Sequence, residues 1–373
     1  MKVLFFHRWV GLHEGGTETE IKLLSSYLAS KEHEVSLLTL PGKSVSELPL
    51  KVKKYFLKKL PGESDYSYDI RDPRLYLFTL FFMFQSLVWL TVSYFFYRRR
   101  FDLISVHFYT ESVVARVFRA LTGTPYVFVL EGYTKREAKE ASFANKVFCI
   151  SRHDQEQCFT DFGYRPILKP VGIDVGQWSG VEKDTNLRRI YASPDNTLCL
   201  TVCRLEPRKD LPTLINAARL VNRSSLSIKF LIVGEGISYL ELKELVKELN
   251  LEKVVVFAGR VTDADLVKYY RIGDIFVLPT LYEGFGIVYL EAMASGLPII
   301  STNVGAVPEV VGDCGVIIEP GNPEILSEAI LKLSANNDEM KRYAENGRRR
   351  VKSEYDREKV MMIYENECTK LIK

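Results

Sequence analysis

Two carboxylates with two glycines between them mark the stretch EGFGIVYLE, which runs from Glu283 to Glu291. The stretch follows the apolar run IFVLPT and leads into the small-residue segment AMASG. Carboxylate oxygens accept hydrogen bonds from hydroxyl groups, so acids in this setting suit a polyhydroxylated ligand such as a sugar or a ribose. The simpler interpretation is that both acids are charges near the start of a helix, with no ligand.

The glycines favour the ligand interpretation. Gly284 and Gly286 would let the backbone amides around Phe285 and Ile287 point at a ligand. A helix that begins at this position adds its positive end. Ordinary helix charges would not need the glycines, so we expect this stretch to be a binding site.

Two cations form a second candidate site. Arg204 and Lys209 stand in VCRLEPRKDLPTL, directly after an apolar run and before a helical pattern. Such a pair suits a diphosphate, because Arg can hold phosphate oxygens with two hydrogen bonds and Lys adds a movable charge. The alternative is a surface ion pair with Glu206 or Asp210.

A third candidate follows the first apolar run, in HEGGTETEI at residues 13–21. Gly15 and Gly16 would let the backbone approach a ligand, and the start of the following helix favours an anion. The alternative is an ordinary turn between a strand and a helix, with Thr17 as the helix cap.

Strand and helix patterns alternate along the chain and would position these residues. The first half predicts buried strands at 2–6, 34–40, 102–107, 125–130 and 146–151, and helices at 17–31 and 111–123. The alternation restarts after a polar segment at 179–189. Alternation of this kind predicts an α/β protein with two Rossmann-like domains, 1–178 and 179–357, which face each other across a cleft. Ligands of such sheets lie beyond the carboxyl ends of the strands.

The segment 75–97 interrupts this pattern, because its 23 residues carry no charge. Its length suits a membrane span, but a span would separate the first strand from the strands with which it must pair. We therefore expect a helix with one face in the core and one face on lipid. The arginines at 98–100 and the lysines of KVKKYFLKK (51–59) would assist that contact.

The composition is that of a folded globular protein, with 47% hydrophobic and 26% charged residues in a chain of 373. The six cysteines form no C-x-x-C pair and no zinc-like spacing; they are Cys149, Cys158, Cys199, Cys203, Cys314 and Cys368. We expect free thiols in a reducing compartment. The expected location is the cytoplasm, with peripheral contact on the cytoplasmic face of the membrane.

Together these motifs resemble glycosyltransferase family 4, the retaining glycosyltransferases of GT-B architecture. The resemblance is carried by Gly15-Gly16, by the R-x-x-x-x-K of Arg204 and Lys209, and by the E-x7-E of Glu283 and Glu291. Supporting matches are LIVGEG, EAMASGLPIISTNVGAVPEVV and GVIIEPGN. The resemblance covers nearly the whole chain and is dense from 198 to 325. It also implies that the last helix, at about 358–373, packs back on the first domain.

The resemblance implies a nucleotide-diphosphate-sugar donor bound mainly by the second domain. Arg204 and Lys209 would bind the diphosphate, and Glu291 would bind the ribose hydroxyls. Glu283 would hold the donor sugar together with the amides of Phe285, Gly286 and Ile287, while Gly15 and Gly16 would let the first domain close on phosphate and acceptor. Retention is the expected outcome, by same-face attack in which the leaving phosphate takes the acceptor proton.

The sequence departs from the family pattern at two places. Members often carry a His after the strand aligned with PYVFVL, where it contacts the donor sugar, and this chain has Glu131 there. Either Glu131 takes that contact, or His107 approaches from the neighbouring strand. The second departure is Cys203 and Asp210, which stand where glycines commonly flank the Arg and Lys motif.

Two further motifs predict no separate chemistry. Asp263 and Asp265 form a D-x-D pair, but Thr262 with Asp265 fits a helix capping box, so we predict no metal requirement and no cofactor besides the donor. The VGEG of 233–236 is an incomplete dinucleotide fingerprint. The expected partners are the nucleotide-sugar donor and a glycan or lipid-linked acceptor, with no nucleic acid. The rival hypotheses are a sugar-nucleotide 2-epimerase-like enzyme and a non-catalytic sugar-nucleotide-binding subunit.

Overall fold

The computed structural model describes residues 1–8, 10, 16–42, 45, 48–58, 73–97, 100–180, 182–224 and 227–372, and only the backbone of 73–76. These residues form two compact units. The first unit comprises Met1–Pro170 together with Met361–Lys373, and the second comprises Val171–Val360. Gly15 lies outside the described residues.

The first unit is built on a parallel sheet of seven strands in the order β3-β2-β1-β4-β5-β6-β7. The strands are β1 (Lys2–Phe6), β2 (Glu34–Thr39), β3 (Lys53–Phe56), β4 (Leu103–Val106), β5 (Tyr126–Leu130), β6 (Lys146–Cys149) and β7 (Ile167–Leu168). The helices are α1 (Gly16–Ser30), α2 (Pro73–Phe95), α3 (Tyr109–Thr122), α4 (Lys135–Ala141) and α5 (Arg152–Phe162). The predicted strands and helices of this half are present.

Strand β3 was not predicted. It lies in the basic segment 51–59, where lysines obscure the apolar pattern of a strand, and it is only half-buried at the end of the sheet. Lysines suit such a position, because charged side chains on an end strand discourage pairing with another chain.

The last helix, α15 (Arg357–Ile372), joins the first unit from Met361 onward. Tyr364 is fully buried there, with its ring centroid 5.0 Å from that of Phe148 and 6.4 Å from that of Phe5. Helix α1 also holds the last helix by a polar contact, since Glu365 accepts a hydrogen bond of 2.9 Å from the Tyr27 hydroxyl.

The second unit is built on a parallel sheet of six strands in the order β10-β9-β8-β11-β12-β13. The strands are β8 (Thr197–Val202), β9 (Ile228–Val233), β10 (Val255–Gly259), β11 (Ile275–Leu278), β12 (Ile299–Thr302) and β13 (Gly315–Ile318). The helices are α6 (Val175–Ser179), α7 (Thr185–Tyr191), α8 (Leu211–Val221), α9 (Tyr239–Glu248), α10 (Asp263–Ile272), α11 (Ile287–Ala294), α12 (Val307–Val311), α13 (Pro323–Ser334) and α14 (Asn337–Glu354).

The division between the units lies at Pro170–Val171, somewhat before the 178–179 expected from the sequence. The physical reason is Trp178 of α6. Its indole is buried and packs edge-on against Tyr270 of α10, with 5.3 Å between ring centroids, so α6 belongs to the second unit.

In the second sheet the chain runs outward from β8 on one side and from β11 on the other. The point between β8 and β11 is therefore a topological switch point, where the loops at the carboxyl ends of neighbouring strands separate and leave room for a ligand. Both strands are buried and apolar, which fixes their ends firmly.

Candidate functional site

The loops after β8 and β11 meet at the switch point through an ion pair. Lys209 Nζ donates a hydrogen bond to Glu283 Oε2, and both side chains are buried. The two residues come from the separate cation and acid motifs identified in the sequence. The fold therefore brings these motifs into one site.

Arg204 occupies a different environment in the same loop. Its side chain is 71% exposed, and Nη1 lies 3.0 Å from Glu206 Oε1. Glu206 also accepts a hydrogen bond of 3.0 Å from Arg208 Nε. The alternative of a surface ion pair with Glu206 thus describes the observed contact of Arg204. An exposed pair of this kind is worth little in stability, so the guanidinium can exchange Glu206 for an anionic ligand at small cost.

Asp210 has a left-handed backbone conformation, with φ of 49°. It stands where glycines commonly occur in the resembled family, and the conformation explains that preference, because glycine adopts it without strain. Asp is among the side chains that tolerate this region best. Burial raises the pKa of the Asp210 carboxyl, while its hydrogen bonds with Thr213 oppose the shift.

The VGEG loop after β9 supports the β8 loop instead of forming a fingerprint of its own. A Cβ atom at Gly234 would lie 1.9 Å from the Cys203 carbonyl oxygen, and one at Gly236 would lie 2.4 Å from the Leu205 carbonyl oxygen. The glycines therefore allow two loop backbones to touch. Beside them lies a pocket of about 430 Å³, lined by Arg204, Glu206, Pro207, Arg208, Glu235, Gly236 and Ile237.

The backbone at Glu283 is fixed from two sides. Leu281 N donates to the Arg208 carbonyl oxygen at 2.8 Å, which ties the β11 loop to the β8 loop. On the other side, Gly305 has φ of 50°, and a Cβ atom there would lie 2.1 Å from the Glu283 carbonyl oxygen. Sequence reasoning did not assign Gly305, although its segment GAVPEVV matched the family pattern.

Gly286 immediately precedes α11 with φ of 84°, and a Cβ atom there would lie 2.5 Å from the Tyr289 ring. Gly284 differs, since a Cβ atom there would meet no atom within 4 Å. Only the second glycine is thus required by the conformation of the loop. Phe285 anchors the turn with a buried ring that packs edge-on against Tyr355. The first amides of α11, beginning at Ile287, lack acceptors within the helix and can donate to a ligand.

Glu291 lies on α11 and is partly buried. The Tyr270 hydroxyl donates a hydrogen bond of 2.7 Å to Glu291 Oε2. Burial raises the pKa of Glu291 to about 7; the Asp263 charge adds to the shift and the Tyr270 hydrogen bond opposes it. Tyr270 was not assigned from the sequence, because its alignment with Glu291 depends on the packing of α10 beside α11.

Comparison with known proteins identifies this arrangement. Residues 183–350 match the family model of glycosyl transferases group 1. This part of the chain belongs to the group 1 glycosyltransferases. The chain is 27% identical over 261 residues to an uncharacterized glycosyltransferase of Methanocaldococcus jannaschii, with 66% of this chain and 69% of that protein covered.

Two further comparisons give a curated relative and a solved structure. The GDP-mannose-dependent alpha-(1-6)-phosphatidylinositol monomannoside mannosyltransferase of Mycolicibacterium smegmatis is 29% identical over 206 residues, which span 52% of this chain and 54% of that protein. The crystal structure of Anabaena HepE in complex with UDP matches with a TM-score of 0.78 at 18% identity, covering 99% of this chain and 100% of that one. The expected GT-B fold class is therefore confirmed.

The D-x-D pair lies in the first turn of a capped helix, as predicted. The Thr262 hydroxyl accepts a hydrogen bond of 3.2 Å from Asp265 N, and α10 begins at Asp263. Asp265 also pairs with Lys268 at 2.8 Å.

In the first unit, the two candidates for the missing sugar-contacting His form a pair. His107 follows β4 and Glu131 follows β5, and His107 Nδ1 lies 2.8 Å from Glu131 Oε1. The His107 side chain is fully buried, whereas that of Glu131 is 16% exposed. The accessible member is thus the carboxylate, with the imidazole behind it. Gly16 of the third candidate motif opens α1 and is exposed.

Proposed function

We propose that this protein is a retaining glycosyltransferase that moves a sugar from a nucleotide-diphosphate-sugar to an acceptor hydroxyl. The observation that carries the proposal is the buried ion pair between Lys209 and Glu283, which joins the two loops of the switch point. A cation for phosphate and a carboxylate for hydroxyls, held in contact, suit the junction between a diphosphate and a sugar.

In this proposal Arg204 and Lys209 bind the diphosphate. Arg204 gives up its exposed contact with Glu206 to do so, whereas Lys209 is already fixed. Glu283 holds the donor sugar with the amides of Phe285, Gly286 and Ile287, and Glu291 accepts hydrogen bonds from the ribose. Support for a nucleotide comes from the UDP complex of HepE, which shares the fold.

The leaving diphosphate is the group that most needs stabilisation during the reaction. The bond between the anomeric carbon and the diphosphate oxygen breaks, and negative charge grows on that oxygen. Arg204 and Lys209 stabilise it as preorganised cations, which is an electrostatic contribution to catalysis. The acceptor oxygen attacks from the same face, and its proton passes to the departing phosphate. The proposal needs no metal ion and no cofactor besides the donor.

The first unit supplies the acceptor side in this proposal. Glu131, held by His107, contacts the donor or acceptor sugar, and Gly16 at the start of α1 lets the backbone approach phosphate and acceptor. The acceptor is a glycan on a lipid or at a membrane. The name of the Mycolicibacterium smegmatis relative, which acts on a phosphatidylinositol monomannoside, supports this class.

The experiment is a thermal-shift panel of UDP-, GDP- and ADP-sugars with the wild type, Glu291→Ala, Arg204→Ala and the exposed control Arg189→Ala. One donor should stabilise the wild type and the control, and its effect should be lost in the other two variants. Stabilisation by that donor in all four proteins would contradict the proposed site.

Product analysis completes the test. With the donor and a lipid-linked glycan, an α-linked donor should give an α-linked product, as seen in the NMR coupling of the anomeric proton. An inverted product would exclude the retaining mechanism. Donor consumption without any glycoside would instead indicate an epimerase-like enzyme.

A further inference from the structure

Helix α2 carries no charged residue after Arg74, and of its described residues one face is buried while the opposite face is exposed. Its exposed apolar positions recur every three or four residues at Leu77, Leu80, Phe84, Val88, Val92 and Phe95. That spacing places them on one face of the helix. The opposite face is buried and includes Phe82, Ser86, Leu90 and Ser93. A helix without a polar face is expected to be fully buried or to contact lipid.

A transmembrane orientation of α2 conflicts with the sheet. Leu77–Phe95 is long and apolar enough to cross a bilayer, with a mean hydropathy of 1.6, but β1 precedes α2 and β4 follows it. These two strands pair in parallel along Val3–Phe6 and Leu103–Val106. Both ends of α2 must therefore lie on the same side of a membrane.

A groove adjoins the uncovered face. It has a volume of about 650 Å³ and is lined by Phe56, Leu57, Lys58, Phe84, Gln85, Val88, Trp89, Val92, Ser93 and Tyr97. The Gln85 side chain fixes its rim, because it accepts from Lys58 N at 3.1 Å and donates to the Lys58 carbonyl oxygen at 3.0 Å. Trp89 of α2 packs against Tyr55 of β3, and this contact holds the two sides of the groove together.

Among the residues that the structure describes, the charges that border this face are basic. The sequence from 73 to 97 contains no acidic residue and continues into three arginines at 98–100. Lys58 and Arg100 are exposed, and the Arg100 guanidinium lies 5.7 Å from the centre of the Tyr94 ring. An apolar stripe with a basic border is complementary to a bilayer that contains anionic lipids.

We infer that the exposed face of α2, together with Phe56 and Lys58, is the surface on which this protein lies in the interface of an anionic membrane. The stripe enters the boundary between headgroups and acyl chains, while Lys58 and Arg100 contact phosphate groups. A second copy of the chain is a poorer occupant, because two such faces would bring their basic borders together. The inference does not depend on the proposed sugar transfer, since binding is measured without sugars.

The experiment measures flotation of the protein with two kinds of vesicle. One contains phosphatidylcholine alone, and the other also contains about 30% of the anionic lipid phosphatidylglycerol. The test variant is Leu80→Ser with Phe84→Ser, and the matched control is Ile190→Ser with Leu240→Ser. All four side chains are exposed, so both variants should fold as the wild type does. The wild type and the control should float with anionic vesicles, and the test variant should bind at least tenfold more weakly.

Charge and depth are tested separately. Lys58→Ala should weaken binding to anionic vesicles about fivefold, and added salt should reduce that difference.

An environment-sensitive dye attached to a Val88→Cys variant measures depth. Its emission should shift to the blue on anionic vesicles, whereas the emission of the same dye at Ile190→Cys should not. The six native cysteines are buried, which favours selective labelling.

Two outcomes would overturn the inference. Equal flotation of the test variant and the control would show that α2 is not the contact. A wild-type dimer in lipid-free solution that the Leu80→Ser, Phe84→Ser variant converts to monomers would show that a second copy covers the face.

Discussion

Lys209 and Glu283 lie 74 positions apart in the sequence and form one buried ion pair between two loops of the second unit. Each residue follows one of the two strands that flank the switch point, β8 and β11. The contact has a structural and a chemical consequence. It ties the loops together, and it holds a cation and a carboxylate where a ligand of this fold class binds.

Removing one member of this pair should cost far more than removing both. Lys209→Met or Glu283→Leu alone leaves a buried charge without its partner, which typically costs roughly 3–5 kcal/mol of unfolding free energy. The double variant should recover most of that loss, and all three proteins should lose the thermal shift with donor. Urea unfolding measures the first effect. Lys268→Met, which breaks the exposed pair with Asp265, is the control and should leave the unfolding free energy close to the wild-type value.

Glu291 should make stability fall with rising pH. Its pKa is about 7 in the folded protein and 4.5 as an unperturbed group, so the folded state binds more protons between these values. The unfolding free energy should therefore decrease from pH 4.5 to pH 7, by about 3 kcal/mol if this group acts alone.

Two variants test this assignment by urea unfolding between pH 4.5 and pH 8. Glu291→Gln should flatten the slope relative to the wild type. Tyr270→Phe should extend the decline to higher pH, because the Tyr270 hydrogen bond lowers the pKa of Glu291. An unchanged profile in Glu291→Gln would show that another group causes the slope.

The sequence was sufficient to predict the two sheets and the positions of the cation and acid motifs, because buried parallel strands are continuous apolar runs and the motifs follow them directly. It was insufficient for contacts that depend on how elements pack. Tyr270 reaches Glu291 from a neighbouring helix, and Gly305 supports Glu283 from the loop after β12. Neither residue has a spacing relative to its partner that a sequence pattern would reveal.

The segment 75–97 is a second example of packing that the sequence pattern could not predict. Its composition predicted a helix, but apolar residues on every side of an uncharged helix do not tell which face is covered. That division is set by packing against the sheet and α3, where Phe82 stacks on Phe6 and Tyr94 meets Phe118 edge-on.

The glycines near Glu283, two in the β11 loop and one in the loop after β12, should differ sharply in their tolerance of alanine. Gly286→Ala places a Cβ atom 2.5 Å from Tyr289 in a left-handed conformation, and Gly305→Ala places one 2.1 Å from the Glu283 carbonyl oxygen. Each should lose about 1–3 kcal/mol of stability and most donor binding. Gly284→Ala is the matched control, with open space around its Cβ atom, and should be close to the wild type in stability. Equal losses at all three positions would contradict the described loop.

Glu131 should affect sugar transfer without affecting nucleotide binding, since it lies in the first unit and the donor motifs lie in the second. Glu131→Ala removes a carboxylate that accepts hydrogen bonds from hydroxyls, so kcat/KM should fall roughly ten- to hundredfold. His107→Gln should cause a smaller loss, because the buried imidazole acts by holding Glu131. The thermal shift with the nucleotide diphosphate alone should remain at the wild-type value in both variants.

The control for that prediction is Glu156→Ala, which removes an exposed carboxylate of the same unit that is paired with Arg165. It should leave kcat/KM unchanged. If His107→Gln lost more activity than Glu131→Ala, the imidazole would be the contacting group and Glu131 the residue that positions it. Since Glu131 carries the exposed carboxylate and His107 is fully buried, we expect the opposite order.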